Sequence, residues 1–284
     1  MIYVCADDYG LSSNLSMRIK ECLDNGGLTK VSVFPNFEAT NLSELKNAHI
    51  SLHLNLVEGR CMSDRKDVDL ITDNEGDFKY AFGGLLLKSI FHKKKFESQI
   101  YAEIKEQLSF WKRLFPDGTP LLIDSHQHTH MIPSVFKMLL RVISEEKVEV
   151  KYLRIPAEPL SPFIKCPSLY FTYKPINLIK QWLLKLLWLF DKPLFKKSNI
   201  PTAYFFGVLL SGEMDKKRVD KILPKYIELS KRKNRDLEVL LHPGYLESKE
   251  ISSVKNKIKF KDFYLSQNRK TEFDTAIKIH LKEV

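Results

Sequence analysis

The chain has 284 residues, of which 44% are hydrophobic, 28% charged and 11% aromatic; this excludes a disordered tail, a collagen-like repeat and a disulfide-stapled miniprotein. Lys and Arg number 45 against 35 Asp and Glu, a formal charge of +10, but the basic residues are spread along the chain. The densest runs, 92–95 and 231–235, lack the interleaved aromatics on which single-stranded nucleic acid stacks, so they read as solvated surface, and no nucleic acid is expected as a partner.

Length admits two small domains or one α/β barrel of about 250 residues. Residues 2–6 read as a strand. Ser13 or Asn14 can cap a helix whose Leu15, Ile19, Cys22 and Leu23 share one face, with Gly26 and Gly27 as its stop. Residues 31–34 form a second strand and 50–57 a third. In the third, Ile50, Leu52, Leu54 and Leu56 face one side, and Ser51, His53 and Asn55 the other. Residues 58–81 are polar and Asp-rich and read as a long loop region. A helix over 98–115 ends at Pro116-Asp117-Gly118, a strand over 121–124 leads into a histidine cluster, and 133–146 is helical. Residues 151–155, 203–210 and 237–241 are the later strands. This alternation argues for a parallel sheet with right-handed crossovers, open or closed.

The most apolar stretch, INLIKQWLLKLLWLF over 176–190, is interrupted by Lys180 and Lys185 and is shorter than the roughly 20 residues of a bilayer span. It reads as a buried or lid-forming amphipathic helix, and no membrane span is expected; an exposed apolar face on it would suggest a homodimer. Met1 to Cys5 lacks the basic start of a signal peptide. Cys5, Cys22, Cys61 and Cys166 show no C-x-x-C pairing, so free thiols and a cytoplasmic location are expected.

Four polar clusters stand where strands end, the place where parallel α/β folds collect reactive groups. Asp7-Asp8 in ADDYG puts two repelling carboxylates side by side, which a cation or proton would relieve, although Asp before Gly10 is also turn chemistry. His53 points away from the apolar face of its strand and becomes informative only with partners. Those partners are in DSHQHTH. As a strand, this segment lines up Asp124, His126, His128 and His130; as a helix, it sets His126 and His130 one turn apart. Imidazoles this close cannot all be protonated, and a metal is the usual reason to gather them. His242 in LLHPGY and Arg154 in YLRIP are further polar residues at strand ends. Dinucleotide-binding, P-loop and serine-hydrolase motifs are all absent.

ADDYG, SLHLNL, DSHQHTHMIP and LLHPGY, in this order and spacing, resemble the YdjC-like carbohydrate deacetylase family, over residues 2 to about 245. The resemblance implies a deformed (β/α) TIM-like barrel in a single domain with one divalent ion, magnesium rather than zinc. Asp7 would be the general base, and Asp8, His53 and His126 the metal ligands. His242 would stand by the leaving group, and Asp124, His128, His130 and Arg154 would support the site or orient substrate. The segment 168–200 has no counterpart among barrel elements and reads as an inserted helical cap. The expected substrate is an N-acetylated amino sugar or short oligosaccharide. The alternatives are an amidase or esterase for a non-sugar substrate, since Trp182, Trp188 and Phe190 can stack on sugars or simply fill a core, and a non-catalytic binding protein on an inactive barrel.

Overall fold

The computed structural model describes residues 1–37, 42–46, 48–116, 119–254 and 258–279. Among them are seven strands: β1 (Ile2–Tyr9), β2 (Lys30–Val33), β3 (His49–Leu54), β4 (Leu121–Ser125), β5 (Val150–Leu153), β6 (Tyr204–Phe206) and β7 (Leu237–Leu241). All pair in parallel, in the order β5-β4-β3-β2-β1-β7-β6. The helices are α1 (Ser13–Asp24), α2 (Phe82–Phe91), α3 (Lys93–Leu114), α4 (Pro133–Glu145), α5 (Ser161–Ile164), α6 (Pro175–Ser198), α7 (Lys216–Lys233), α8 (Lys261–Tyr264) and α9 (Gln267–Lys278).

The sheet curls into a deformed, TIM-like α/β barrel. Neighbouring strands lie about 4.8 Å apart, so in a flat sheet β5 and β7, five positions apart, could never touch. Here the Tyr152 hydroxyl on β5 donates to Glu238 on β7, and Lys30 on β2 bonds both Asp124 on β4 and Glu238, each at 2.9 Å. The Leu153 amide also donates to the Pro201 carbonyl at 3.0 Å, linking β5 to the chain entering β6. Charged and polar side chains therefore fill much of the barrel interior, with Leu122 and Tyr152 among them, while many apolar strand residues face outward. Leu52 and Leu54 pack in one core with Ile100, Ile104 and Leu139 of α3 and α4. Val4, Ala6 and Val239 pack in another with Leu15 and Ile19 of α1 and Ile222 of α7.

Several expected boundaries move for local reasons. Ser12, not Ser13 or Asn14, caps α1, its hydroxyl accepting from the Leu15 amide at 3.3 Å. The strand expected over 50–57 stops at Leu54 because the Asn55 side chain accepts from the Val57 and Glu58 amides, both at 3.0 Å, and turns the chain. The strand expected over 203–210 shortens to β6. Just past it, the amides of Gly207, Val208 and Leu209 leave the sheet for the buried Glu158 carboxylate, at 3.2, 3.1 and 2.7 Å. Asp117 and Gly118, expected to stop α3, lie outside the described residues. Helix α6 lies in the connection between β5 and β6 and packs on α4 and on the turn over His126–Met131. Among the described residues no helix is long and apolar enough to cross a membrane.

Candidate active site

Adjacent residues of a regular strand point to opposite faces, yet Asp7 and Asp8 both line one cavity of about 460 Å³. The end of β1 explains this. Its pairing with β2 shifts register between Ala6 and Tyr9, and Asp8 adopts a left-handed φ of 74°, a conformation that short polar side chains tolerate better than most. Gly10 and Leu11 then lead into α1.

Asp8 Oδ1 lies 3.0 Å from His126 Nδ1 and 3.5 Å from His53 Nε2. One donor atom from each of Asp8, His53 and His126 fits within 4.8 Å of the others. His53 is aimed by Asp124, whose Oδ1 meets its Nδ1 at 2.6 Å, leaving Nε2 toward Asp8. Phe34 packs edge-on against both imidazoles, with centroids at 5.0 and 5.1 Å. His53 Nε2 and His126 Nε2 are both buried without a hydrogen-bond partner among the described residues. Two orphaned imidazole nitrogens beside one carboxylate suit a divalent ion with open positions, and a carboxylate behind a ligating histidine is its usual support.

The histidine cluster is neither the strand nor the helix that its spacing allowed. Gln127 and His128 adopt left-handed φ of 52° and 57°, a tight turn that sends the three imidazoles in different directions. His126 meets Asp8. His128 lines the cavity, and burial, followed by the charge of Arg154, holds its pKa well below the usual histidine value. His130 turns away from the cavity to the Ser125 hydroxyl and the Arg154 carbonyl, and burial lowers its pKa to about 4.

Asp7 is gripped by the Arg154 guanidinium through two hydrogen bonds of 2.7 and 2.8 Å. Burial pushes Asp7 up, but Arg154 and His53 outweigh it and hold the carboxyl below its usual range. Asp8 is likewise buried and likewise held down, by Arg269 at 2.6 Å and by His126. Burial disfavours charge on His53, yet Asp7 and the bonds to Asp124 and Asp8 raise its pKa to about 9. Within this cluster, four buried carboxylates (Asp7, Asp8, Asp124, Glu238) face three buried cations (Lys30, Arg154, Arg269). The surplus negative charge favours a cation or a proton between them. His242 borders the cavity, and Glu272 accepts from its backbone amide at 2.6 Å and lies 3.3 Å from Nδ1.

All nine residues singled out in the sequence therefore lie in or next to one site: Asp7, Asp8, His126, His128 and His242 line the cavity, and His53, Asp124, His130 and Arg154 stand behind them. Sequence reasoning missed Lys30, Glu238, Arg269 and Glu272. The first two carried a signal, being lone charges inside the apolar strands KVSV and LEVLL. Arg269 and Glu272 sit in the polar helix α9, where nothing local sets them apart.

Comparison with known proteins finds relatives along the whole chain. A carbohydrate deacetylase of Clostridium beijerinckii is 27% identical over 257 residues, covering 87% of this chain and 83% of the relative. A zebrafish (Danio rerio) carbohydrate deacetylase is 28% identical over 56% of this chain and 50% of its own length. A chitooligosaccharide deacetylase of Salmonella typhimurium is 27% identical over 53% of this chain and 58% of its own length. The fold is shared with a candidate cellobiose-phosphate cleavage protein of Enterococcus faecalis, at a TM-score of 0.66 and 16% identity over 99% of this chain and 92% of that one. The family of YdjC-like proteins matches residues 1–284, and the chain belongs to that family.

Proposed function

We propose that the chain is a metal-dependent carbohydrate deacetylase that removes the acetyl group from an N-acetylated amino sugar or short oligosaccharide. The observation that carries this is the pair of Nε2 atoms of His53 and His126, buried without a hydrogen-bond partner among the described residues, beside Asp8, which lines the cavity with His126. The names of the relatives support the sugar. Asp8, His53 and His126 would hold one divalent ion. Two imidazoles suit zinc, and the family resemblance favours magnesium. When bound, such an ion polarises an acetyl carbonyl and lowers the pKa of a water.

The chain's own residues do the rest. Asp7 faces the cavity and takes a proton from the attacking water. Arg154 keeps that carboxylate ionised and in one orientation through its paired hydrogen bonds. His242, positioned by Glu272, gives a proton to the departing amine. Asp124, held by Lys30, Ser32 and Ser51 at 2.9, 2.6 and 2.7 Å, keeps His53 in place. The apolar walls at Phe82, Leu183, Leu184, Phe260 and Phe263 exclude water from the reacting centre, with α6 as the cap over one side.

Acetate release from N-acetylglucosamine oligomers, measured before and after chelation and after restoring magnesium or zinc, tests this. Chelator-sensitive release restored by one ion is expected. Acetate release that ignores chelation sinks the metal role, and release only from non-sugar amides or esters sinks the substrate class.

A further inference from the structure

Helix α6 is built inside out. Its buried stripe includes three polar residues, Asn177, Gln181 and Asp191, beside Leu184 and Leu187. Its exposed side carries Ile176, Ile179, Trp182, Leu186, Leu189 and Phe190, with Trp182 63% and Phe190 64% exposed. Water should favour the reverse. A second apolar patch continues the theme on α2, where Leu87, Ile90 and Phe91 are exposed, Phe91 by 74%. Both helices touch the turn over His126–Met131, and both line the catalytic cavity, α2 through Phe82 and α6 through Lys180, Leu183 and Leu184. The two patches therefore belong to helices that border one cavity.

The charge carried by the two segments is mostly of one sign. Residues 165–200 hold seven lysines and a single acid, Asp191, which is buried; Lys165 and Lys174 are paired with Glu228 and Glu213 at 3.9 and 3.4 Å. Residues 79–96 hold five lysines and no acid; of these, Lys95 is paired with Asp69 at 2.7 Å. A second copy of the chain docked symmetrically would set this lysine ring against itself. An anionic bilayer surface matches it: apolar side chains enter the boundary of the acyl chains, Trp182 sits at headgroup level, and lysines meet lipid phosphates.

We propose that the exposed faces of α6 and α2 dock the enzyme on an anionic membrane surface, so that the cavity both helices border receives an acetylated amino sugar carried on a lipid. The choice of sugar rests on the deacetylase reading; the docking does not. Helix α6 would lie in the interface plane, consistent with its interrupting lysines and with no helix among the described residues being long and apolar enough to span.

Co-sedimentation with vesicles of phosphatidylcholine alone, and of phosphatidylcholine with phosphatidylglycerol, tests the docking. The protein should pellet with the anionic vesicles, with a blue shift of Trp182 emission, and bind the neutral ones about tenfold more weakly or less. Leu186→Glu with Leu189→Glu, both outside the cavity, should weaken anionic binding by about tenfold or more while acetate release from a soluble oligosaccharide persists. If that variant misfolds, Lys93→Glu with Lys94→Glu must still weaken binding several-fold. The proposal is overturned if the wild type ignores anionic vesicles, if the folded variants bind as well as it does, or if the first pair dissolves a dimer that binds no lipid. Vesicle binding that persists with no acetate from soluble or lipid-borne sugar would instead overturn only the deacetylase reading.

Discussion

Two layers of buried charge share one end of the barrel and follow opposite rules. In the deeper layer every charge is answered: Lys30 joins Asp124 to Glu238, Arg154 joins Glu238 to Asp7, and Ser32, Ser51 and Tyr152 fill remaining positions. In the upper layer, Asp8 faces two imidazoles whose Nε2 atoms have no hydrogen-bond partner among the described residues. Leaving a buried polar group unpaired costs about 1–3 kcal/mol, a cost that a folded chain retains where something else supplies the missing bond. Satisfied charge is scaffold, and unsatisfied charge marks where a ligand enters. Asp124 belongs to both layers, its Oδ2 to the network below and its Oδ1 to His53 above.

If that division is right, substitutions in the two layers should fail differently. Asp7→Asn removes the proposed base but no ligand, so kcat should fall by about 10²–10⁴ while metal content, read by elemental analysis, stays intact. Loss of metal in that variant would show that the two adjacent acids do not divide the work as proposed. Lys30→Met leaves Asp124 and Glu238 buried without their cation, and breaking such a network from one side should destabilise by about 3–5 kcal/mol. At about 2–4 °C per kcal/mol for a chain of this size class, calorimetry should show a large fall in Tm. A Lys30→Met protein of native Tm would erase the distinction between the layers.

Glu272→Gln is a milder probe from the rim of the site. Its one remaining oxygen can keep the contact to His242, but without the charge that holds Nδ1, and its NH2 then meets the Gly212 amide that Glu272 Oε1 serves at 2.8 Å, so kcat should fall by about tenfold and Tm by a few degrees, with metal content unchanged. A loss as large as that of Asp7→Asn would make Glu272 a proton carrier rather than a positioning residue.

The same contrast explains what the sequence disclosed. The upper layer was legible because its residues break a pattern: His53 falls on the polar side of a period-two strand, and three histidines crowd one turn. Their directions were not legible, since the left-handed backbone of Gln127 and His128 belongs to neither period. Nor was the bulge at Asp8 that lets adjacent carboxylates share a cavity. The parallel sheet followed from alternating strands and helices and the barrel only from the family resemblance, because closure depends on side chains meeting across the interior, which no local window contains. The partners of Lys30 and Arg269 were hidden for that reason. Arg269 reaches Asp8 from 261 residues away, and Lys30, although a lone charge in an apolar strand, gives no local sign that it will join Asp124 to Glu238.

Asp191 extends the comparison to a charge with neither partner nor ligand. It is fully buried on α6, and neither carboxylate oxygen has a hydrogen-bond partner among the described residues. Burial alone pushes its pKa up to about 8. In the unfolded chain the group titrates near 3.9, so between about pH 4 and pH 8 the folded protein holds a proton that the unfolded one has released. Stability should therefore fall as pH rises through that window and level off above it. Asp191→Leu removes the penalty: it should stabilise most at pH 8 and above, gain less as the pH is lowered, and flatten the pH dependence of urea unfolding between these limits. If the variant is instead less stable at pH 8, Asp191 has a cation or water partner under α6, and its burial belongs with the satisfied charges of the barrel floor.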